Sequence, residues 1–317
     1  MFDFVSYARE NLSFDFVVFS SKRHLDEMVP GKYFTLRAFL EKNKIKYYDS
    51  LDINKDKNLK KEARESFGIA FGASWVFETE TASLFKKNHL LDFMGIDLPR
   101  YRGGAHYTWQ ILHENKKGCA SLQIIKGGNE TFHKGEVVTR EEFDLPKNLQ
   151  TPLDYFNYIS KKETEFLKKF LSDAVKGKDF KIQILDETKS SYYPFLNTKI
   201  NGFINWGWAG KDICSFINAF SDPYAGASTF LNGKRVFLKN CCLEKAEEWY
   251  HPFTSGIIVR KDKKNMYIAS VGNLLKVDAV LQASVGDRFV TPHTYLDNAL
   301  SFSAVYNSKG LKNKKTK

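Results

Sequence analysis

Seven consecutive residues, Leu98-Pro99-Arg100-Tyr101-Arg102-Gly103-Gly104, constrain this chain more than any other stretch. Proline fixes φ and lacks a donor, and a double glycine weakens any regular element, so the run is a tight loop at the mouth of a site. Apolar segments enclose it. Gly68-Ile69-Ala70-Phe71-Gly72 reads as a strand ending in glycine, and Tyr107 to Leu112 opens a helix. Cys119 to Ile125 reads as a further strand, followed by Phe132-His133-Lys134-Gly135-Glu136-Val137-Val138. Upstream, residues 2–12 carry apolar side chains near helical spacing, and Phe14 to Ser20 is a dense apolar strand. A helix over Tyr33–Asn43 sets Phe34, Leu36, Phe39 and Leu40 on one face; Ile45–Tyr48 is the next strand, Asp52–Lys61 a polar loop and Glu80–Lys87 a short helix. Strands alternating with helices predict an α/β fold with a mostly parallel sheet.

The 317 residues, 43% apolar and 15% aromatic, are enough for a sizeable core. No run approaches the roughly 18 apolar residues of a spanning helix, and the start lacks a secretory pattern, so a cytoplasmic protein with no membrane association is expected. The four cysteines, Cys119, Cys214, Cys241 and Cys242, have no C-x-x-C spacing and are read as reduced thiols. The net charge of +11 makes nucleic acid a possible partner, but a chain rich in Lys, Asn, Phe, Tyr and Ile also reads as broadly biased. Residues 306–317 form a basic tail. No G-x-G-x-x-G, Walker loop or H-E-x-x-H occurs, so nicotinamide, kinase-like and zinc-hydrolase chemistries have no support, and no metal is expected.

Beyond residue 140 a connector holds a helix over Leu153–Val175. Ile204-Asn205-Trp206, a helix over Ala209–Phe220 and Pro223-Tyr224-Ala225-Gly226-Ala227 lead to a hairpin turning at Asn232-Gly233. Segments 256–259, 266–271, 274–280 and 288–291 complete a small all-β module. The trial division is 1–200, 201–305 and the tail. Trp75, Trp109, Trp206 and Trp208 are read as core.

The Leu98 to Gly104 loop, the Ile204 to Ala227 segment and the β module together resemble the folate-dependent formyltransferases: methionyl-tRNA formyltransferase and the N-formyltransferases of nucleotide-linked amino sugars. In that family an Asn-x-His segment runs into Leu-Pro-x-Tyr-Arg-Gly, and an Asp-x-Gly segment follows. The resemblance implies a Rossmann-like α/β domain followed by an open C-terminal β-barrel, and a 10-formyltetrahydrofolate cofactor. It also implies an amine or amino-sugar nucleotide as substrate, and a possible homodimer. The family opens with a strand that the present sequence does not show. Either the sheet is rearranged, or Met1 is not the natural start.

On the family motif, Asn falls on Asp92, His on Met94 and Asp on His133. All three types differ. Formyl transfer needs a proton acceptor for the attacking amine and a donor for the oxyanion. Asp92 accepts only while ionised and Met94 offers no useful bond, whereas His133 titrates near neutral pH. His106, just after the double glycine, is either a substitute base or a structural histidine. By the resemblance, Phe71, Gly72, Leu98, Gly103 and Gly135 line the folate pocket, and Arg100 and Arg102 either hold an anion or are solvated. Three functions remain open: a formyltransferase with a remodelled site, a silent folate- or sugar-nucleotide-binding module, and a tRNA-binding relative.

Overall fold

A computed structural model gives the structure of the protein, describing residues 2–12, 14–28, 33–64, 66–72, 75–86, 89–128, 135–246 and 248–300. Met1, His133 and the whole basic tail lie outside the described residues.

The N-terminal part alternates strands and helices. Helix α1 (Phe2–Leu12) precedes β1 (Val17–Ser20), α2 (Lys22–Asp26), α3 (Leu36–Lys42) and β2 (Lys46–Asp49). Thr35 caps α3 through the Ala38 amide, which starts the helix three residues after Tyr33. Next come α4 (Lys57–Glu62), β3 (Gly68–Phe71), α5 (Thr79–Ala82) and β4 (Leu90–Met94). The chain continues through β5 (Arg102–Gly103), α6 (His106–Leu112), β6 (Lys117–Ile124) and β7 (Val137–Asp144) to the long helix α7 (Pro152–Val175). That helix begins where a capping box, Thr151 with Asp154, meets Pro152 at the first turn.

The sheet is mixed and divided. One piece is the parallel pair β1–β2; the other has the order β3-β4-β6-β7, parallel at β3–β4 and antiparallel thereafter. The mostly parallel arrangement read from the alternation therefore ends at β4, because β6 and β7 return through antiparallel pairing. The chain does begin in a helix, α1, as the spacing of residues 2–12 implies. Leu91, Leu122 and Ile124 of the sheet pack against Phe4 and Ala8 of α1 and Phe166, Leu167 and Phe170 of α7. Ile53, Leu59 and Ala63 form a smaller cluster with Phe19, Phe77 and Phe85.

The rest of the chain is β8 (Tyr192–Tyr193), α8 (Thr198–Asn201), α9 (Gly210–Ala219), β9 (Ala227–Leu231), β10 (Lys234–Leu238), β11 (Cys242–Glu244), β12 (Ile258–Lys261), β13 (Asn265–Ser270), β14 (Asn273–Asp278) and α10 (His293–Ala299). The β9–β10 hairpin turns at Asn232-Gly233, both at positive φ (49° and 76°), as a tight primed turn demands. The second sheet is antiparallel with the order β11-β14-β13-β12. The two sheets do not close into a barrel, and segment 288–291 contributes only the isolated bridges Ile257↔Arg288 and Phe230↔Val290. The largest core cluster runs through this module and also takes Ile111, Leu145, Tyr155 and Ile159. Packing is thus continuous across residue 200. Trp206 is buried and donates to Thr229 at 3.0 Å; Trp208, expected in the core, is 37% exposed at the rim.

Candidate functional site

The site is built on β4, whose sequence Leu90-Leu91-Asp92-Phe93-Met94 sets side chains alternately on the two faces of the sheet. Leu91 and Phe93 point into the main N-terminal core. Asp92 and Met94 take the other face. Register places Asp92 between Ala70 of β3 and Gln123 of β6, and Met94 opposite Ser121. Asp92 makes no hydrogen bond or ion pair with a described residue, and burial pushes its carboxyl up to about 7. Ser121 is buried with its Oγ unpartnered. Gln123 Nε2 donates to the Gly135 carbonyl at 2.9 Å. A Cβ on Gly135 would sit 2.3 Å from the Ile124 carbonyl oxygen, so only glycine lets that segment come so close to β6. Asp92, Gln123 and Gly135 therefore stand in one row. Gly135 and Glu187 also border a cleft of about 450 Å³.

The loop after β4 is held by charge. Asp97 is 6% exposed and pairs with Arg140 of β7 at 2.5 Å and with Arg100 at 2.9 Å. Arg140 also donates to the Leu98 carbonyl oxygen. The far end of the loop is strapped to residues 190–194: the Arg102 amide donates to Ser191 and the Gly104 amide to Tyr193, at 3.0 and 3.1 Å. Gly103 has φ +112°, and its missing Cβ would meet the Tyr193 carbonyl oxygen at 1.8 Å.

Ala105, at φ 55°, turns the chain into α6. The His106 ring is hydrogen-bonded to the Tyr101 backbone, its Nε2 is buried without a partner, and burial lowers its pKa to about 4. At neutral pH it is a neutral imidazole.

On α7, Tyr155, Ile159, Phe166 and Phe170 follow the buried helical stripe, and Glu163 falls on that same stripe. The Glu163 Oε1 sits 1.8 Å from where a Cβ on Gly95 would be, so the carboxylate lies against the backbone immediately after Met94. It has no hydrogen-bond partner among the described residues, and burial raises it to about 7. Tyr107 is pushed well above its ordinary range by burial and by the nearby Glu163. Its ring contacts Tyr155 of α7 at 6.3 Å. Two carboxyl groups that titrate near neutrality thus flank the end of β4, as proton exchange at pH 7 requires.

Residues 197–288 match the family described as formyl transferase, C-terminal domain. Methionyl-tRNA formyltransferase of Syntrophus aciditrophicus is 29% identical over 142 residues, covering 44% of this chain and 42% of that protein. That of Rickettsia bellii is 26% identical over 200 residues, covering 62% and 60%. Among solved structures, the N-formyltransferase of Helicobacter canadensis, in complex with folinic acid and dTDP-3-aminofucose, superposes with a TM-score of 0.64 at 17% identity. It covers 87% of this chain and 94% of its own. The sugar 3N-formyl transferase WlaRD, with dTDP and 5-N-formyl-THF, gives 0.63 at 18%, covering 89% and 94%.

The chain carries a formyl transferase C-terminal domain and is similar to folate-dependent formyltransferases. It spans about half the length of the curated relatives it matches.

Measured against what this family implies, the predicted residues divide. Asp92 and Met94 share one face of β4, and Asp92 is in the row that ends at Gly135. His133 is outside the described residues, which leaves its place in the row a proposal. Phe71, partly buried, packs against Phe4 and Phe93, and Leu98 is 1% exposed. Gly72, at φ 54°, has open space where a side chain would be. Arg102 does not stand free for an anion: it is 8% exposed and bonded to Glu187 at 2.6 and 2.7 Å and to Ser190 at 2.6 Å. Burial beside Glu187 turned an expected ligand contact into a strut for the loop. Arg100 pairs with Asp97, its side chain half exposed. Glu163 and Arg140 went unread in the sequence. Glu163 carried a legible signal, an acidic residue on an apolar helical stripe; Arg140 carried none, because its partner is 43 residues away. Among the described residues no group of three His, Cys, Asp or Glu could hold a metal, and no helix is long and apolar enough to cross a membrane.

Proposed function

We propose that this protein binds a reduced folate and an amino-sugar nucleotide at the face of β4, with a formyl-transfer site remodelled so that proton acceptance survives and oxyanion stabilisation does not. The observation that carries the reading is the Ala70–Asp92–Gln123 row: an unpartnered carboxyl pushed up to about 7 stands where the family has asparagine, one pleat from Met94. In the transfer, the substrate amine attacks the formyl carbon of 10-formyltetrahydrofolate. The carbon–N10 bond breaks, the amine proton leaves to a base and N10 takes up a proton. Asp92 or Glu163, half ionised at neutral pH, is suited to the base role. Met94 donates nothing to the oxyanion, and the amide of Gln123 is committed to Gly135. Loss of one oxyanion donor typically costs about 10²–10³ in turnover.

Support for the amino-sugar branch comes from the two sugar formyltransferase structures, of which the chain covers 94%. A tRNA substrate is the second reading. It is favoured by the methionyl-tRNA formyltransferase relatives and by the charge of +11. The test incubates purified protein with 10-formyltetrahydrofolate and a panel of amino-sugar nucleotides or initiator tRNA, followed by mass spectrometry. The expected product level stays near the uncatalysed background, and the combined change Asp92→Asn, Met94→His and His133→Asp raises it, whereas Asp92→Asn with Met94→His does not. Brisk turnover by the unmodified protein would sink the remodelled-site reading.

A further inference from the structure

Three of the four cysteines, Cys214, Cys241 and Cys242, meet where helix α9 packs against β11. Cys214 and Asn218 lie one turn apart on one face of α9. The Asn218 side chain clamps the residue just before β11. Its Oδ1 accepts from the Cys241 amide at 2.8 Å, and its Nδ2 donates to the Cys241 carbonyl at 2.7 Å. The same Nδ2 lies 3.9 Å from Cys214 Sγ. One side-chain amide therefore touches both the Cys241 backbone and the Cys214 sulfur. The two thiols also meet directly: the Cys241 S–H donates a hydrogen bond to Cys214 Sγ. Cys242 follows on β11, opposite Lys276 of β14.

The cysteines differ in reach and in reactivity. Cys241 is fully buried, whereas Cys214 is partly exposed. The hydrogen bond from Cys241 lowers the Cys214 pKa and outweighs burial there; the same bond, with burial, raises Cys241. The thiolate is the form of cysteine that attacks an electrophile. Cys214 is thus the nucleophile of the pair, and Cys241, already bonded to it, is the thiol that resolves. The other two lack this activation. Burial raises Cys242, and it pushes Cys119 on β6 up to about 12.

We propose that Cys214 and Cys241 form a reversible disulfide when the folded protein meets a hydroperoxide. The Cys214 thiolate attacks the terminal peroxide oxygen. The O–O bond breaks, the leaving oxygen takes up a proton, and Cys214 is left as a sulfenic acid. The Cys241 sulfur then attacks the Cys214 sulfur. The S–S bond forms, and the hydroxyl leaves as water with the Cys241 proton. Each thiol gives up one electron, and the peroxide takes both. The bond staples α9 to the start of β11. Helix α6, which begins at His106, rests on that same helix: Thr108 Oγ1 donates to the Ala219 carbonyl at 3.1 Å, and Lys211 pairs with Glu114 at 2.8 Å. The inference does not rest on the proposed formyl transfer, and its readout is independent of folate.

The experiment treats the reduced full chain with hydrogen peroxide, alkylates the remaining thiols in denaturant and identifies tryptic peptides by mass spectrometry. The expected product joins Asp212–Lys234 to Asn240–Lys245, with fragmentation placing the bond on Cys241 and with Cys119 still alkylated. Dithiothreitol should regenerate both peptides. Formation should be at least about tenfold faster in the folded protein than in urea, because only the fold holds the two sulfurs together. Cys242→Ser keeps the link. Cys241→Ser abolishes it and leaves a Cys214 sulfenic acid that dimedone traps. Should Cys241→Ser not fold, the fragmentation of the unsubstituted cross-link decides. No link in the folded protein, a bond to Cys242 or Cys119 instead, or formation no faster than in urea overturns the proposal.

Discussion

The two sheets at opposite ends of the chain differ in how completely they satisfy themselves. In the C-terminal sheet, β13 pairs without interruption with β14 from Asn265↔Asp278 to Ser270↔Asn273, and Ile268, Ala269, Leu275 and Val277 are fully buried. The N-terminal sheet is in two pieces. Among the described residues, the three buried side-chain polar atoms without a partner, Ser50 Oγ, His106 Nε2 and Ser121 Oγ, all belong to that N-terminal half. So do the two carboxyls whose burial raises them to about 7. A region built for stability alone pairs its polar groups; one that keeps them unpaired retains capacity for a ligand. On the proposed reading, the C-terminal sheet is a platform and the Asp92–Met94 face of β4 is the site.

The sharpest way to break this contrast is a cavity in the platform. Ile268→Ala, at a fully buried position in the central strand, should cost about 3–4 kcal/mol in urea unfolding. A loss under about 1 kcal/mol would mean that the C-terminal sheet is less tightly packed than its pairing implies. Next in size is the strut beneath the loop. Arg140→Ala leaves Asp97 buried with only the half-exposed Arg100 as partner and frees the Leu98 carbonyl, so a cost of about 2–3 kcal/mol is expected. Arg140→Lys should recover part of that cost but not the bond to Leu98, because a lysine cannot fork between two acceptors. A neutral Arg140→Ala in the same unfolding assay would refute the strut.

The smallest expected effect is the most specific to the site. Asp92 is raised to about 7 in the fold from an ordinary value near 3.8, so the folded state favours the protonated form. Its contribution is complete below about pH 4 and is lost as pH rises to about 7, beyond which both states are ionised. Asp92→Asn should therefore be nearly neutral at pH 4 and stabilising at pH 8. Thermal melts across that range would show it. A difference that does not change with pH would mean that Asp92 is solvated rather than buried at the site.

Much of this was legible in the residues, for physical reasons that differ by region. Helix α7 announces itself through a capping box and a long apolar stripe, and the β9–β10 turn through Asn232-Gly233; both signals are local. The face of β4 that matters follows from simple alternation around Asp92. What sequence hid is non-local. The commitment of Arg102 to Glu187 joins residues 85 apart, and the clamp of Arg140 on Asp97 joins residues 43 apart. The antiparallel turn of the sheet at β6 was equally hidden, since Lys117–Ile124 is buried along almost its whole length and shows no alternation that would mark its direction. Glu163 was overlooked for a different reason: it stands among many charged residues of a 24-residue helix and reads as surface until Gly95 is seen beneath it.

The central claim is that the β4 face remains a folate site although its chemical residues have changed type. Calorimetric titration of the protein with 5-formyltetrahydrofolate tests it most directly. The account predicts saturable binding at one site per chain, with Kd in the range of about 1–100 μM. It also predicts that Arg140→Ala, by loosening the loop over Asp97 and Leu98, weakens this binding at least about tenfold. Titration of folded protein that shows no saturable heat up to millimolar folate would contradict it.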